Sequence, residues 1–179
     1  MREITGNLWN YWQMRYYCMD CLKPMLHPLT DCGTKDCRSL AIPSAFHICI
    51  TTNGDVNARG HAVMGRGCAL EASKKIPGFS RALAYVIKKY GNHVYRMDAQ
   101  LQGLSRVLVF PVKYHWHEMA DLSLIRRSAR ELAEICALTA NSIFILPRPG
   151  CGNGHLNWED VREVIAPILP DNVWVITHA

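Results

Sequence analysis

The sequence predicts an α/β sandwich, and three observations carry that prediction. Apolar, β-branched runs alternate with stretches of helical periodicity, glycine-rich joints follow two of the runs, and 179 residues are enough for one full core without disulfides. One domain over residues 1–179 is expected, with the cysteine-rich stretch 16–44 as an insertion.

Arg2 to Thr5 reads as a short strand, and Gly6-Asn7-Leu8-Trp9 as a turn into an aromatic-rich segment that ends near Tyr17. Residues 18 to 44 carry prolines at 24, 28 and 43 and predict an irregular insertion. Phe46 to Thr52 is almost continuously apolar, the pattern of a central parallel strand buried on both faces. After a polar loop, Gly65 and Gly67 open a helix that Pro77-Gly78 stops. Phe79, Leu83, Val86, Ile87 and Tyr90 then form a helical core stripe, which Gly91-Asn92 ends. Val94 to Met97 and Arg106 to Val112 read as strands. Leu122 to Cys136 reads as a helix capped by Asp121, and Ser142 to Leu146 as a buried strand. Val161 to Ile168 predicts the last helix and Val173 to Thr177 the last strand. In such an alternation ligands sit at the carboxyl ends of the strands.

Two glycine loops and Lys113 lie at such ends. From Leu146 to Trp158, Gly150, Gly152 and Gly154 alternate through a joint between strand and helix, where one glycine would serve a turn. Glycines there let backbone N–H groups approach an anion near a helix N-terminus. The Gly65-Arg66-Gly67 loop predicts a second phosphate-facing helix start.

Net charge of +5 suits a phosphorylated ligand or a nucleic acid but compels neither, and no basic and aromatic stripe is obvious along the chain. No apolar run approaches the length of a membrane span, so a soluble, cytoplasmic protein, expected as a monomer, is the reading.

Four motifs in order, Ile48 to Asn53, Met64 to Leu70, Phe110 to Lys113 with His115-Trp116, and Pro147 to Trp158, resemble a macrodomain. The resemblance covers most of the chain outside residues 10–44. It is nearest the branch of ADP-ribosyl glycohydrolases that act on terminal ADP-ribose on protein or on ADP-ribosylated DNA. It implies a three-layer α/β/α sandwich with a mixed, mostly parallel central sheet and an ADP-ribose pocket. Met64, Gly65, Arg66, Gly67 and Cys68 would flank the diphosphate and distal ribose from one side. Gly150, Cys151, Gly152, Asn153, Gly154 and His155 would do so from the other. Asn53 follows the central strand into the pocket, and Asn7 and Leu8 would meet the adenine. Family members usually carry Asp where Asn7 stands, and Asn7 brings no negative charge.

The resemblance also places Lys113 at the branch's catalytic lysine. A lysine attacks an anomeric carbon when a dry or cation-rich site lowers its pKa, and Arg66, His115 and His117 are candidates for such a field. The terminal protein glycohydrolase has an aspartate where Gly154 stands; the DNA-directed enzyme has glycine there. His155 is either a proton carrier or a loop residue in solvent. No catalytic cofactor is expected.

Of eight cysteines, Cys18, Cys21, Cys32 and Cys37 cluster, in the pairwise spacing of a structural four-thiolate zinc site. Reduced thiols, a disulfide pair, or His27 replacing one ligand are the alternatives. The leading function is an ADP-ribosyl hydrolase that acts on a nucleobase of DNA or RNA or on an acidic protein side chain. A non-catalytic binder of ADP-ribose or an NAD-derived nucleotide comes second. A nucleic-acid-binding module that uses the macrodomain as scaffold comes last.

Overall fold

The computed structural model describes residues 1–12, 16–18, 24–25, 41–43, 45–97, 106–139 and 141–178. In chain order its elements are β1 (Arg2–Gly6), α1 (Leu8–Trp12), β2 (Tyr16–Cys18), β3 (Pro24–Met25), β4 (Ala41–Pro43) and β5 (Ala45–Asn53). There follow α2 (Gly67–Lys75), α3 (Phe79–Tyr90), β6 (Tyr95–Arg96), β7 (Val107–Lys113), α4 (Leu122–Ala137), β8 (Ser142–Pro147), α5 (Trp158–Ile165) and β9 (Val173–His178).

The main sheet runs β1-β9-β8-β5-β7-β6, and every neighbouring pair is parallel except β6 with β7. Successive side chains along a strand point to opposite faces, so each buried strand feeds two cores. Ile48 and Ile50 of β5, with Val107 and Val109 of β7, pack in one cluster with Ala69, Ala72, Phe79 and Leu83 from α2 and α3. Cys49, Leu108 and Phe110 face the other way and join Ile125, Leu132, Val161 and Ile165 from α4 and α5. The result is a three-layer α/β/α sandwich with β5 at its centre, as the continuous apolar run predicts.

Three expectations change in detail. Gly6 to Trp9 is not a simple turn: the chain enters α1 at Leu8, because the Asn7 Oδ1 accepts the Trp9 N–H at 2.9 Å and so caps the helix. Leu8 and Tyr11, one turn apart, are buried, and the Tyr11 ring lies 5.9 Å from that of Phe46. Burial of that face holds a helix too short to persist alone. Tyr90 leaves the core stripe of α3 and is half exposed. The insertion is not wholly irregular, since β2, β3 and β4 form a small antiparallel sheet in the order β3-β2-β4. Cys21, Cys32 and Cys37 lie outside the described residues, and Cys18 ends β2. Among the described residues no cluster of three or more His, Cys, Asp or Glu is arranged to hold a metal, and no helix is long and apolar enough to cross a membrane.

Candidate active site

The carboxyl ends of β1, β5, β7 and β8 open on one cavity of about 830 Å³. Every pocket residue singled out in the sequence lines it: Asn7 and Leu8, Asn53, Met64 to Cys68, Lys113, and Gly150 to His155. The parallel register explains why residues sixty positions apart meet, since Asn53 ends β5 directly beside Lys113 at the end of β7. The Asn53 carboxamide is used within the chain. It donates to the Val63 carbonyl at 2.9 Å and accepts the Asp55 N–H at 3.0 Å, and so ties the approach to the first glycine loop onto the strand end.

Lys113 joins two sides of the cavity. Its Nζ donates to the Asn153 carbonyl at 2.7 Å, linking the strand end to the second glycine loop. Desolvation, and after it the positive charge of Arg66, lowers its pKa from the usual lysine value. Arg66 is thus one source of the cationic field expected in the sequence. His115 is not: its ring is engaged at 2.9 Å with Asp55, whose other carboxylate oxygen accepts the Trp116 N–H at 2.7 Å. The hydrogen bond to Asp55 raises the His115 pKa. Burial pushes the Asp55 carboxyl up, but the His115 ring and the Trp116 N–H outweigh it, so its pKa falls. Asp55 escaped the sequence reading; its one signal was its position two residues after Asn53 in the same polar loop. It anchors residues 115–116, so that Trp116, 60% exposed, stands at the cavity rim beside Lys113.

The glycines do different things. Gly67 has φ +58 and starts α2, whose first turn carries no acid and whose N-terminus has no side-chain cap, so its N–H groups are left to the cavity. Gly65 and Gly152 have open space where a side chain would stand. Gly150, at φ +77, and Gly154 are packed tight: a Cβ on Gly154 would meet the Gly150 carbonyl oxygen at 2.3 Å and the Ala120 Cβ at 2.7 Å. The Gly154 carbonyl accepts the Ala120 N–H at 3.0 Å, and that of Gly150 accepts the Leu156 N–H at 3.0 Å. No side chain, and so no carboxylate, fits at 154 in this loop. His155 has φ +59, a conformation that favours glycine, and its exposed ring stands at the rim.

One expectation is corrected. The second glycine loop does not present a helix N-terminus to the cavity. Asn157 caps α5 by accepting the Glu159 N–H at 3.2 Å, Glu159 and Asp160 occupy the first turn, and the cavity lining on this side stops at His155.

No family model matches the chain. Among solved structures it superposes on the macrodomain of Thermus aquaticus DarG with a TM-score of 0.63 at 21% identity, covering 99% of this chain and 97% of that one. This protein has the macrodomain fold. Thermosipho africanus DarTG in complex with ADP-ribose gives a TM-score of 0.57 at 23% identity over 74% of this macrodomain and 38% of that chain. In sequence the macrodomain is similar to the DNA ADP-ribosyl glycohydrolase of Mycobacterium tuberculosis, 30% identical over 116 residues, or 61% of this chain and 33% of that one. It spans about a third of the length of the curated relatives it matches.

Proposed function

We propose that this macrodomain is an ADP-ribosyl glycohydrolase that frees ADP-ribose from a modified nucleobase in DNA, with Lys113 as nucleophile. The observation that carries the reading is the position of the Lys113 Nζ. It lies in a single cavity between two glycine loops, within hydrogen-bond reach of the second loop and lowered in pKa by desolvation and Arg66. The similarity to DNA ADP-ribosyl glycohydrolases favours DNA over a protein side chain as the carrier.

On this reading the α2 N-terminus and Gly65 hold the diphosphate, Gly152 lets the distal ribose approach, and Asn7 meets the adenine. Because the Asn7 Oδ1 caps α1, its Nδ2 is the group left to donate to a base edge. The free amine of Lys113 attacks the anomeric carbon of the distal ribose. A C–N bond to Nζ forms, the bond to the modified group breaks, and its electron pair leaves with that group, which takes up the proton lost from Nζ. Water then cleaves the lysine adduct, restoring the amine and releasing ADP-ribose. Gly154 has no room for a side chain, so no carboxylate from that position assists.

Replacing Lys113 by Ala is expected to lower release of ADP-ribose from a modified oligonucleotide on the order of 10³-fold or more, with binding of free ADP-ribose within a few-fold of wild type. Unchanged turnover would remove the lysine mechanism. A wild-type protein that binds ADP-ribose and releases none from any modified substrate would favour the non-catalytic binder; the Lys113 hydrogen bond to the Asn153 carbonyl, which uses the amine as a donor, is the observation on its side.

We also propose that Cys18, Cys21, Cys32 and Cys37 hold a structural zinc, a reading supported by their spacing. Elemental analysis of purified protein is expected to find about one zinc per chain, lost in the Cys18→Ser/Cys21→Ser variant. Metal-free, folded wild-type protein would overturn it.

A further inference from the structure

The outer face of α2 and α3 is rich in cations and poor in carboxylates. Between Val56 and Met97 the chain has eight Lys or Arg residues and one carboxylate, Glu71; the rest of the chain has twelve and fourteen. Lys74 and Lys75 end α2, and Arg81, Lys88 and Lys89 lie along α3, all exposed. Arg81, Tyr85 and Lys89 recur at four-residue spacing, which places them on one stripe, with Lys88 and Tyr90 beside it. The two tyrosines are each 52% exposed, and the Lys89 Nζ lies 5.5 Å and 5.0 Å from their ring centres. Sequence reading found no basic and aromatic stripe in part because it placed Tyr90 in the core stripe of α3, whereas the ring is half exposed.

This face reaches the cavity at one end. Lys75 stacks on Trp9, which lines the cavity, at 5.5 Å from its ring. Past the other end of the stripe, Asn92 donates to the Lys113 carbonyl at 2.9 Å. Such a face does nothing for the packing of the sandwich, and like charges crowded on two helices repel one another. Cations spaced along a surface neutralise a phosphate backbone, and exposed rings among them stack on unpaired bases.

We propose that the outer face of α2 and α3 is a track for single-stranded nucleic acid, holding the polynucleotide that runs on from a modified base while the cavity takes its ADP-ribose. The track rests on the proposed activity only for the identity of that modified base, since unmodified strands bind it too.

The test compares wild type with Lys74→Glu/Lys88→Glu/Lys89→Glu, none of which lines the cavity. Fluorescence anisotropy with an unmodified single-stranded oligonucleotide is expected to show affinity lowered at least tenfold. The slope of log affinity against log salt should flatten by about two, from three phosphate contacts at roughly 0.7 each. Tyr85→Ala is expected to weaken single-strand binding about fivefold and leave the salt slope as it is. Free ADP-ribose should bind the triple variant as it binds wild type, which also shows that the variant is folded. Where the wild type hydrolyses substrate, kcat/KM on a modified oligonucleotide should fall about tenfold while that on a modified mononucleoside stays constant. Equal oligonucleotide affinity and salt slope in wild type and triple variant would overturn the track, whatever is found for hydrolysis. Absence of hydrolysis with the anisotropy difference intact would overturn the activity and keep the track.

Discussion

The two glycine loops look alike in sequence and differ in what their glycines are for. In the first, Gly65 leaves open space and Gly67 turns the chain into α2, whose uncapped, acid-free start faces the cavity. In the second, Gly150 and Gly154 are glycine because neighbouring atoms leave no space, and only Gly152 stands open. The helix that follows is capped by Asn157, begins with two acids and lies off the cavity lining. A run of glycines at a strand end therefore marks a tight loop as readily as an anion cradle. What separates the cases is whether the next helix starts at once or several residues later.

The comparison is broken most severely at Gly154. Alanine there must displace the Gly150 carbonyl, so Gly154→Ala is expected to cost on the order of 3 kcal/mol, read as a lowered midpoint in urea, and to abolish ADP-ribose binding by moving the loop. Gly152→Ala and Gly65→Ala, where a methyl group meets nothing, are expected to change stability by less than about 0.5 kcal/mol while weakening ADP-ribose binding, read by calorimetry. A Gly154→Ala variant as stable as Gly152→Ala would remove the distinction between packed and open glycines.

The finer contrast concerns Arg66, the charge that the first loop brings to Lys113. That charge disfavours the ammonium form, so removing it raises the Lys113 pKa and leaves less free amine near neutral pH. In Arg66→Ala the rising limb of the kcat profile against pH is expected to move to higher pH. A limb that stays in place would show that desolvation alone tunes the lysine.

How much of this was legible beforehand depended on whether the signal is local. The run from Phe46 to Thr52 announced a central strand because burial on both faces favours an almost continuous apolar run, and Asp121 announced a helix start by its own capping bond, at 2.8 Å to the Leu124 N–H. Four motifs scattered over a hundred residues met in one cavity because parallel strands bring their carboxyl ends to one side. The α1 helix was missed because five residues carry too little periodicity, and its stability comes from an Asn7 cap and a contact with Phe46 far along the chain. The engagement of His115 by Asp55 was hidden for the same reason, since sixty residues separate the pair. The basic face was invisible in a net charge of +5, where the acids of other elements cancel it.

The pairing of β1 with β9 also ties one wall of this cavity to a strand far along the sequence. Arg2 to Gly6 lie at the sheet edge in register with Trp174 to His178, and Glu3 is tied to Arg162 at 2.6 Å and to Trp158 at 3.3 Å. These are contacts between segments far apart in sequence, the kind whose closure entropy is largest and which slow folding most. The wall formed by Gly6, Asn7 and Leu8 therefore hangs on a long-range strand pairing, whereas the two glycine loops and Lys113 follow strands nearer the middle of the sheet. As the chain is synthesised, the lysine and both glycine loops are all present before the site can close around a ligand.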